Sequence, residues 1–279
     1  VSSSSTLTHV LQEPAWGTIT HVPRPIPVLG DDTATLRTVD GVRLAATHLP
    51  HQGDLAVVLA HGFSGTHTKP WQVRLAHAFS RHAGVVAFDF RGHGRSGGVS
   101  TLGELEVLDV EAAVAWARRL GYAKVVTCGW SMGGSCVIRH AALVGGVDGV
   151  VSVSATSRWR VRDTKPMRRL HWIVEKRTGR LVGRTLLRTR LATHWVDEPE
   201  SPVECVGRIA PTPLLLVHGD RDSYFTLDHP KALYDAANDP KELWLVPGFA
   251  HAESGATPAL VDRIAARVRD MTSMERSLV

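Results

Sequence analysis

Cysteine is scarce. Cys128, Cys136 and Cys205 are the only three in 279 residues, too few and too odd in number for a disulfide framework. The first two flank a glycine-rich turn within apolar stretches, so buried thiols are expected rather than reactive ones. Long apolar runs are missing as well: none reaches the roughly 18–20 residues needed to span a bilayer. The polar opening Val1-Ser2-Ser3-Ser4-Ser5-Thr6 has neither the basic head nor the apolar core of a signal peptide, and a cytoplasmic protein is the expectation. No segment repeats, which excludes solenoids and propellers. A Gly-x-x-x-x-Gly-Lys phosphate loop, a dinucleotide fingerprint and a His/Cys cluster at metal spacing are all lacking, so no cofactor and no metal are expected.

What is present suits a globular chain: 43% hydrophobic and 21% charged residues place it well away from disorder. The length fits one large α/β domain with an insertion, or two small domains, with a substantial core. The formal charge of +5 is unevenly distributed. Residues 157–196 hold twelve arginines and lysines against Asp163 and Glu175, a local net of +10, which leaves −5 for the rest. Basicity therefore belongs to one segment, and that segment lacks the recognition motif or interleaved aromatic platform of a nucleic-acid binder.

Along the chain, residues 1–31 carry Pro14, Pro23, Pro25 and Pro27 without a period and read as an extended strap on the body. Two strand-like runs, 33–39 and 42–48, meet at Asp40-Gly41, a strong hairpin signal. From Leu55 onward buried strands alternate with helical stretches, the signature of a mostly parallel sheet. The strands are expected at 55–60, 85–90, 125–130, 149–154, 213–217 and 242–246. The helices fall near 71–81, 101–120, after 131, 230–237 and 258–271.

The chemistry centres on Gly129-Trp130-Ser131-Met132-Gly133, which follows an apolar strand and precedes a helical run. A serine at the apex of such a turn is strained and exposed, and side chains at the flanking glycines would collide. Ser131 is the expected nucleophile. A serine hydroxyl needs a base to take its proton and a third group to orient that base. His251, in the loop after strand 242–246, is favoured over His229, which lies at the mouth of a helix. The acid is expected after strand 213–217, where Asp220 and Asp222 both lie and spacing alone does not separate them. Asp222 is chosen, with Asp220 as a turn-capping residue; the rival position, after strand 149–154, offers only Ser154, Ala155 and Thr156. The oxyanion needs two N–H donors. These are assigned to Met132, at a helix N-terminus, and Phe63, in the loop His61-Gly62-Phe63-Ser64-Gly65, where His61 is taken as structural.

In family order, His61-Gly62-Phe63, Asp89-Phe90-Arg91-Gly92-His93-Gly94-Arg95-Ser96, Gly129-Trp130-Ser131-Met132-Gly133-Gly134, His218-Gly219-Asp220-Arg221-Asp222 and Gly248-Phe249-Ala250-His251 resemble the motifs of α/β-hydrolase fold enzymes. The likeness spans about residues 55–255. It implies an α/β-hydrolase fold, a mostly parallel central sheet flanked by helices with a helical cap, and it supports Asp222 as the acid. It also implies that the Asp89–Ser96 loop, with Arg91 and His93, is structural. A serine argues against the dehalogenase and epoxide hydrolase branches, which use aspartate there.

The resemblance divides the chain into a core, 1–156 and 206–279, and a cap inserted at 157–205. Apolar residues at helical spacing, among them Met167, Leu170, Val174, Leu181 and Leu186, suggest two amphipathic helices separated at Thr178-Gly179. Apolar faces covering the pocket and arginines left in solvent is the simplest expectation. Inward arginines holding an anionic substrate, or a basic face resting on an anionic membrane, are the alternatives. The expected activity is serine hydrolysis of a small carboxylic ester through an acyl-enzyme. A thioesterase acting on a coenzyme A or carrier-protein thioester, and a carbon–carbon hydrolase, are alternatives on the same residues. A non-catalytic binding protein is the rival from another class; such proteins usually lack one of the three polar residues.

Overall fold

A computed structural model describes residues 33–193, 195 and 198–273; the strap expected at 1–31 lies outside them. β1 (Thr33–Arg37) and β2 (Arg43–Leu49) form the hairpin across Asp40-Gly41. Then come β3 (Leu55–Ala60), α1 (Pro70–Ser80), β4 (Gly84–Phe88), α2 (Glu106–Arg119), β5 (Lys124–Trp130), α3 (Met132–Leu143) and β6 (Gly149–Val153). Between β6 and β7 (Leu214–Gly219) lie α4 (Lys165–Glu175), α5 (Arg177–Leu186) and α6 (Pro202–Cys205). The chain continues through α7 (Asp228–Ala236), β8 (Lys241–Val246), α8 (Ala252–Gly255) and α9 (Pro258–Ser273).

Among the described residues the sheet has eight strands in the order β1-β2-β4-β3-β5-β6-β7-β8. β2 runs antiparallel to β1 and β4, and every other neighbouring pair is parallel. The reason lies in composition. β3 has no polar side chain and is buried on both faces. Its Ala56, Val58 and Ala60 pack into one core with Val110 and Ala113 of α2 and Val137 and Ile138 of α3. Leu55, Val57 and Leu59 enter the other, with Phe79 of α1 and Ile264 of α9. The two-residue strand period thus divides one run between two helical layers. Parallel strands also bring the loops after β3, β5, β7 and β8 to one edge of the sheet, where the residues with chemistry lie.

Several boundaries depart from expectation, β1 ending at Arg37 and β7 running on to Gly219 among them. α2 starts at Glu106 rather than near Thr101, because the buried Glu106 carboxylate gathers the preceding loop: it accepts from Ser100 Oγ at 2.7 Å, Thr101 N at 2.8 Å and Gly103 N at 2.7 Å. Leu102, with φ at 58°, turns within that loop. β4 ends at Phe88, although Asp89 N still donates to Ala45 O of β2 at 2.8 Å; the Asp89 carboxylate takes hydrogen bonds from His67 N at 2.7 Å and Arg95 N at 3.0 Å. The break between α4 and α5 falls at Lys176, in extended backbone, and Thr178-Gly179 belong to the first turn of α5.

α4 and α5 pack on each other, while α6 packs on α3 and α7, and Cys205, Val206 and Ile209 join the core beneath. On its way back the segment is stitched to the loop before α2, with Ser100 N donating to Arg190 O at 2.7 Å and Ala192 N to Ser100 O at 2.9 Å. All three cysteines are free and buried. Burial pushes each thiol above its ordinary pKa, Cys205 to about 11.

Candidate active site

Ser131 stands between β5 and α3 with φ at 53° and ψ at −117°. Such a positive φ is strained for a residue with a side chain, at a cost on the order of 1–3 kcal/mol. The strain is held by close packing on both sides. A Cβ on Gly129 would lie 2.2 Å from Gly133 O, and one on Gly133 would lie 2.2 Å from Ala60 O. Backbone anchoring adds to this, since Ser131 N donates to Val153 O at 2.8 Å.

His251 lies between Ser131 and Asp222. Its Nε2 is 2.9 Å from Ser131 Oγ and its Nδ1 is 2.7 Å from Asp222 Oδ2. The ionised carboxylate can only accept, so Nδ1–H donates to it and Nε2 is left to accept from the serine hydroxyl. Asp222 Oδ1 also accepts from Tyr224 N at 2.8 Å and Phe225 N at 3.0 Å. Burial raises the Asp222 pKa, but hydrogen bonding and charge from His251, with the Phe225 amide, outweigh it and hold the group below the usual carboxylate range. Asp220 is elsewhere: it accepts from Gly248 N at 2.7 Å and fastens the loop that carries His251. His229 is buried apart from this group, its Nδ1 accepting from Ser157 N at 3.1 Å.

Phe63 and Met132 line the same cavity as Ser131. Met132 is the first residue of α3, so its N–H lies where a helix leaves donors free. Phe63 sits in a turn closed by Gly65 N donating to Gly62 O at 2.9 Å. His61 braces that turn, with Nδ1 donating to Gly62 O at 2.7 Å and Nε2 accepting from Phe90 N at 3.0 Å. Burial, together with the neighbouring His93, lowers the His61 pKa to about 3 and keeps the ring neutral. Arg91 is likewise structural, paired with Asp109 and Asp40, each at 2.8 Å.

Sequence reasoning missed several neighbours. Glu253 Oε1 accepts from Gly62 N at 2.7 Å and Gln72 Nε2 at 2.9 Å, tying the histidine loop to the Phe63 turn. Burial raises its pKa above the ordinary value. It lies two residues beyond His251, a spacing that no motif marks. Tyr224 stacks on the His251 ring at 4.3 Å between centroids; its position two residues after Asp222 was the available signal.

The cavity above Ser131 measures about 530 Å³. Its walls are mainly apolar and aromatic, with Leu102, Trp159, Met167, Leu170 and Trp195 prominent. The tryptophans divide sharply: Trp159 and Trp195 face the cavity, Trp130 is buried in the core, and Trp172 is exposed. Of the segment's arginines only Arg160 and Arg162 line the cavity, and they pair with Glu198 at 2.7 Å and Glu175 at 2.5 Å. Among the described residues no group of three or more His, Cys, Asp or Glu side chains is placed to hold a metal ion.

A doubly covered, mostly parallel sheet with a strained serine at a strand-to-helix turn, hydrogen-bonded to a histidine–aspartate pair, defines a class of hydrolase-type scaffolds. The chain belongs to the alpha/beta hydrolase family, whose model matches residues 57–277. It is similar to the uncharacterized protein YfhR of Escherichia coli, 27% identical over 227 residues that cover 77% of this chain and 71% of that protein. Among solved structures it resembles the Pyrococcus furiosus esterase Pf2001, at a TM-score of 0.66 and 22% identity over 87% of this chain and 91% of that one. A putative aryl esterase from Burkholderia cenocepacia is similar at a TM-score of 0.63 and 20% identity, over 86% and 99% of the two chains.

Proposed function

We propose that the protein is a serine hydrolase that cleaves small, uncharged carboxylic esters through an acyl-enzyme. The observation that carries this reading is the chain Asp222–His251–Ser131, joined by contacts of 2.7 and 2.9 Å. Ser131 Oγ attacks the acyl carbonyl while its proton passes to His251 Nε2. Asp222 holds the imidazolium in place through Nδ1–H. The N–H groups of Phe63 and Met132 receive the oxyanion. His251 then gives its proton to the departing alcohol oxygen, the C–O bond breaks, and the acyl group remains on Ser131. Water, deprotonated by His251, attacks that ester, and the proton returns to Ser131 as the carboxylic acid leaves.

Esterases among the structural relatives support an ester as the bond cleaved. The mutual neutralisation of Arg160 and Arg162 by Glu198 and Glu175 supports an uncharged acyl group over an anionic one. In this reading the insertion at 157–205 acts as the cap over that pocket, with Trp159, Met167, Leu170, Val174 and Trp195 in its lining. A fluorophosphonate probe should label Ser131 stoichiometrically, and a binding protein on this scaffold would not react. Ser131→Ala should abolish labelling and lower turnover of a neutral p-nitrophenyl ester by about a thousand-fold or more. Unchanged turnover in that variant rejects the reading.

A further inference from the structure

α4 presents two unlike faces. Met167, Leu170 and Val174 turn toward the cavity. Lys165, Arg168, Arg169 and Trp172, three and four residues apart, share the other face and border a shallow surface depression. α5 continues this pattern, with Leu181 between Arg177 and Arg184 at helical spacing. Trp172 is 46% exposed and Leu181 62%. Single exposed apolar residues need no explanation, but these two stand among the cations of one helical pair at the most basic part of the chain. The charge there is also uncompensated. Arg158, Arg160 and Arg162 pair with Asp163, Glu198 and Glu175. Among the described residues, Lys165, Arg169, Arg177, Arg184 and Arg188 form no ion pair.

We propose that the outer face of α4 and α5 docks on an anionic lipid bilayer, with Trp172 and Leu181 entering the headgroup boundary and Lys165, Arg169, Arg177 and Arg184 meeting lipid phosphates. Charge complementarity selects an anionic partner, and the exposed tryptophan and leucine select one with an apolar layer behind its charge. A nucleic acid offers no such layer, and Trp172 alone makes no stacking platform. The docked helix α4 then stands between the bilayer and the cavity, its polar-aromatic face on lipid and its apolar face on the pocket. Nothing in this depends on the chemistry at Ser131.

Co-sedimentation of the full chain tests it, using vesicles of equal parts phosphatidylcholine and phosphatidylserine, vesicles of phosphatidylcholine alone, and no lipid. Pelleting with the anionic vesicles only, reversed by added salt, is expected. Each basic residue near such a surface strengthens binding about five-fold. Arg169→Glu/Arg184→Glu should therefore weaken it by about 25-fold or more, and Trp172→Ala/Leu181→Ala should leave only a residue of binding that salt removes. Unchanged thermal unfolding of both variants shows that they fold. Failure to pellet with anionic vesicles overturns the proposal, as does equal pelleting with both vesicle types. Tighter capture by single-stranded RNA or polyglutamate than by lipid assigns the face to an acidic macromolecule instead. A salt-sensitive oligomer without lipid, lost in Arg169→Glu/Arg184→Glu, assigns it to the acidic body of a second copy.

Discussion

Glu253 joins two loops that the proposed mechanism needs in register. Its carboxylate accepts from Gly62 N, the amide before Phe63, and it follows His251 by two residues. Gly62 lies against the nucleophile, since a Cβ there would be 3.2 Å from Ser131 Cβ and 3.3 Å from Glu253 Oε2. In the proposed mechanism Glu253 is thus a positioning residue for the turn that carries Phe63. Truncation would leave a buried N–H without its acceptor, a loss of about 1–3 kcal/mol, and would free the turn to drift from the place the oxyanion occupies. Glu253→Ala should lower kcat by about 10- to 100-fold with KM changed by less than about three-fold. Glu253→Gln keeps an acceptor oxygen and should restore most of the rate. A role confined to stability predicts parallel losses of folding and activity in both variants, so equal kcat in the alanine and glutamine variants rejects positioning.

At the scale of elements, the contact between α4 and α5 is closest at one small residue. A Cβ on Gly179 would lie 2.2 Å from Trp172 O and 2.6 Å from Ile173 Cα, backbone atoms that cannot swing aside. Gly179→Ala should therefore push the two helices apart and loosen the wall of the cavity. Faster proteolytic cleavage between α4 and α5 is expected, with a raised KM, while the rest of the fold keeps its unfolding temperature; cleavage at the parent rate rejects the close-packing argument. The same glycine shows where sequence reasoning runs out. Thr178-Gly179 read as a break because glycine is a poor helix former, yet here it is retained for what approaches it from another helix. Local signals fared differently. The turn at Ser131 was legible because its glycine–serine pattern lies within five residues, even though the backbone that Gly133 must clear belongs to Ala60 of β3, and β3 because an unbroken apolar run has to be covered on both sides. Asp222 and Asp220 were separable only by the family likeness, since the choice depends on where His251 comes to rest 29 residues later. Glu253 was hidden for the same reason, since its partners Gly62 and Gln72 lie 191 and 181 residues away in the chain; the start of α2, by contrast, is set locally, by the carboxylate of Glu106 reaching back three to six residues.

For the molecule as a whole, the buried histidines govern its response to acid. Burial holds the pKa of His61 at about 3, that of His229 at about 4 with Arg158 adding to the effect, and those of His93 and His218 below the ordinary value. Above about pH 6.5 these rings are neutral in both the folded and unfolded chain and contribute no pH dependence. As pH falls below that value the unfolded chain takes up protons that the native rings refuse, so folding stability declines until the native pKa values are reached. Glu253 and Asp109, the latter pushed by burial to about 7, act in the opposite sense, because a raised native pKa favours the protonated folded state as pH falls. Four rings outweigh two carboxyls, and the net slope is toward instability in acid. Asp222, whose native pKa is depressed, adds its own loss only below its unfolded value of 3.8. Urea midpoints measured from about pH 7 to about pH 5 should therefore fall steadily, by an amount on the order of a few kcal/mol in unfolding free energy. His61→Gln removes one ring that titrates only when unfolded, and its slope should be shallower by about one proton between those limits. A level profile in the parent protein, or an unchanged slope in His61→Gln, means that the ring of His61 takes up its proton in the folded state as readily as in the unfolded one.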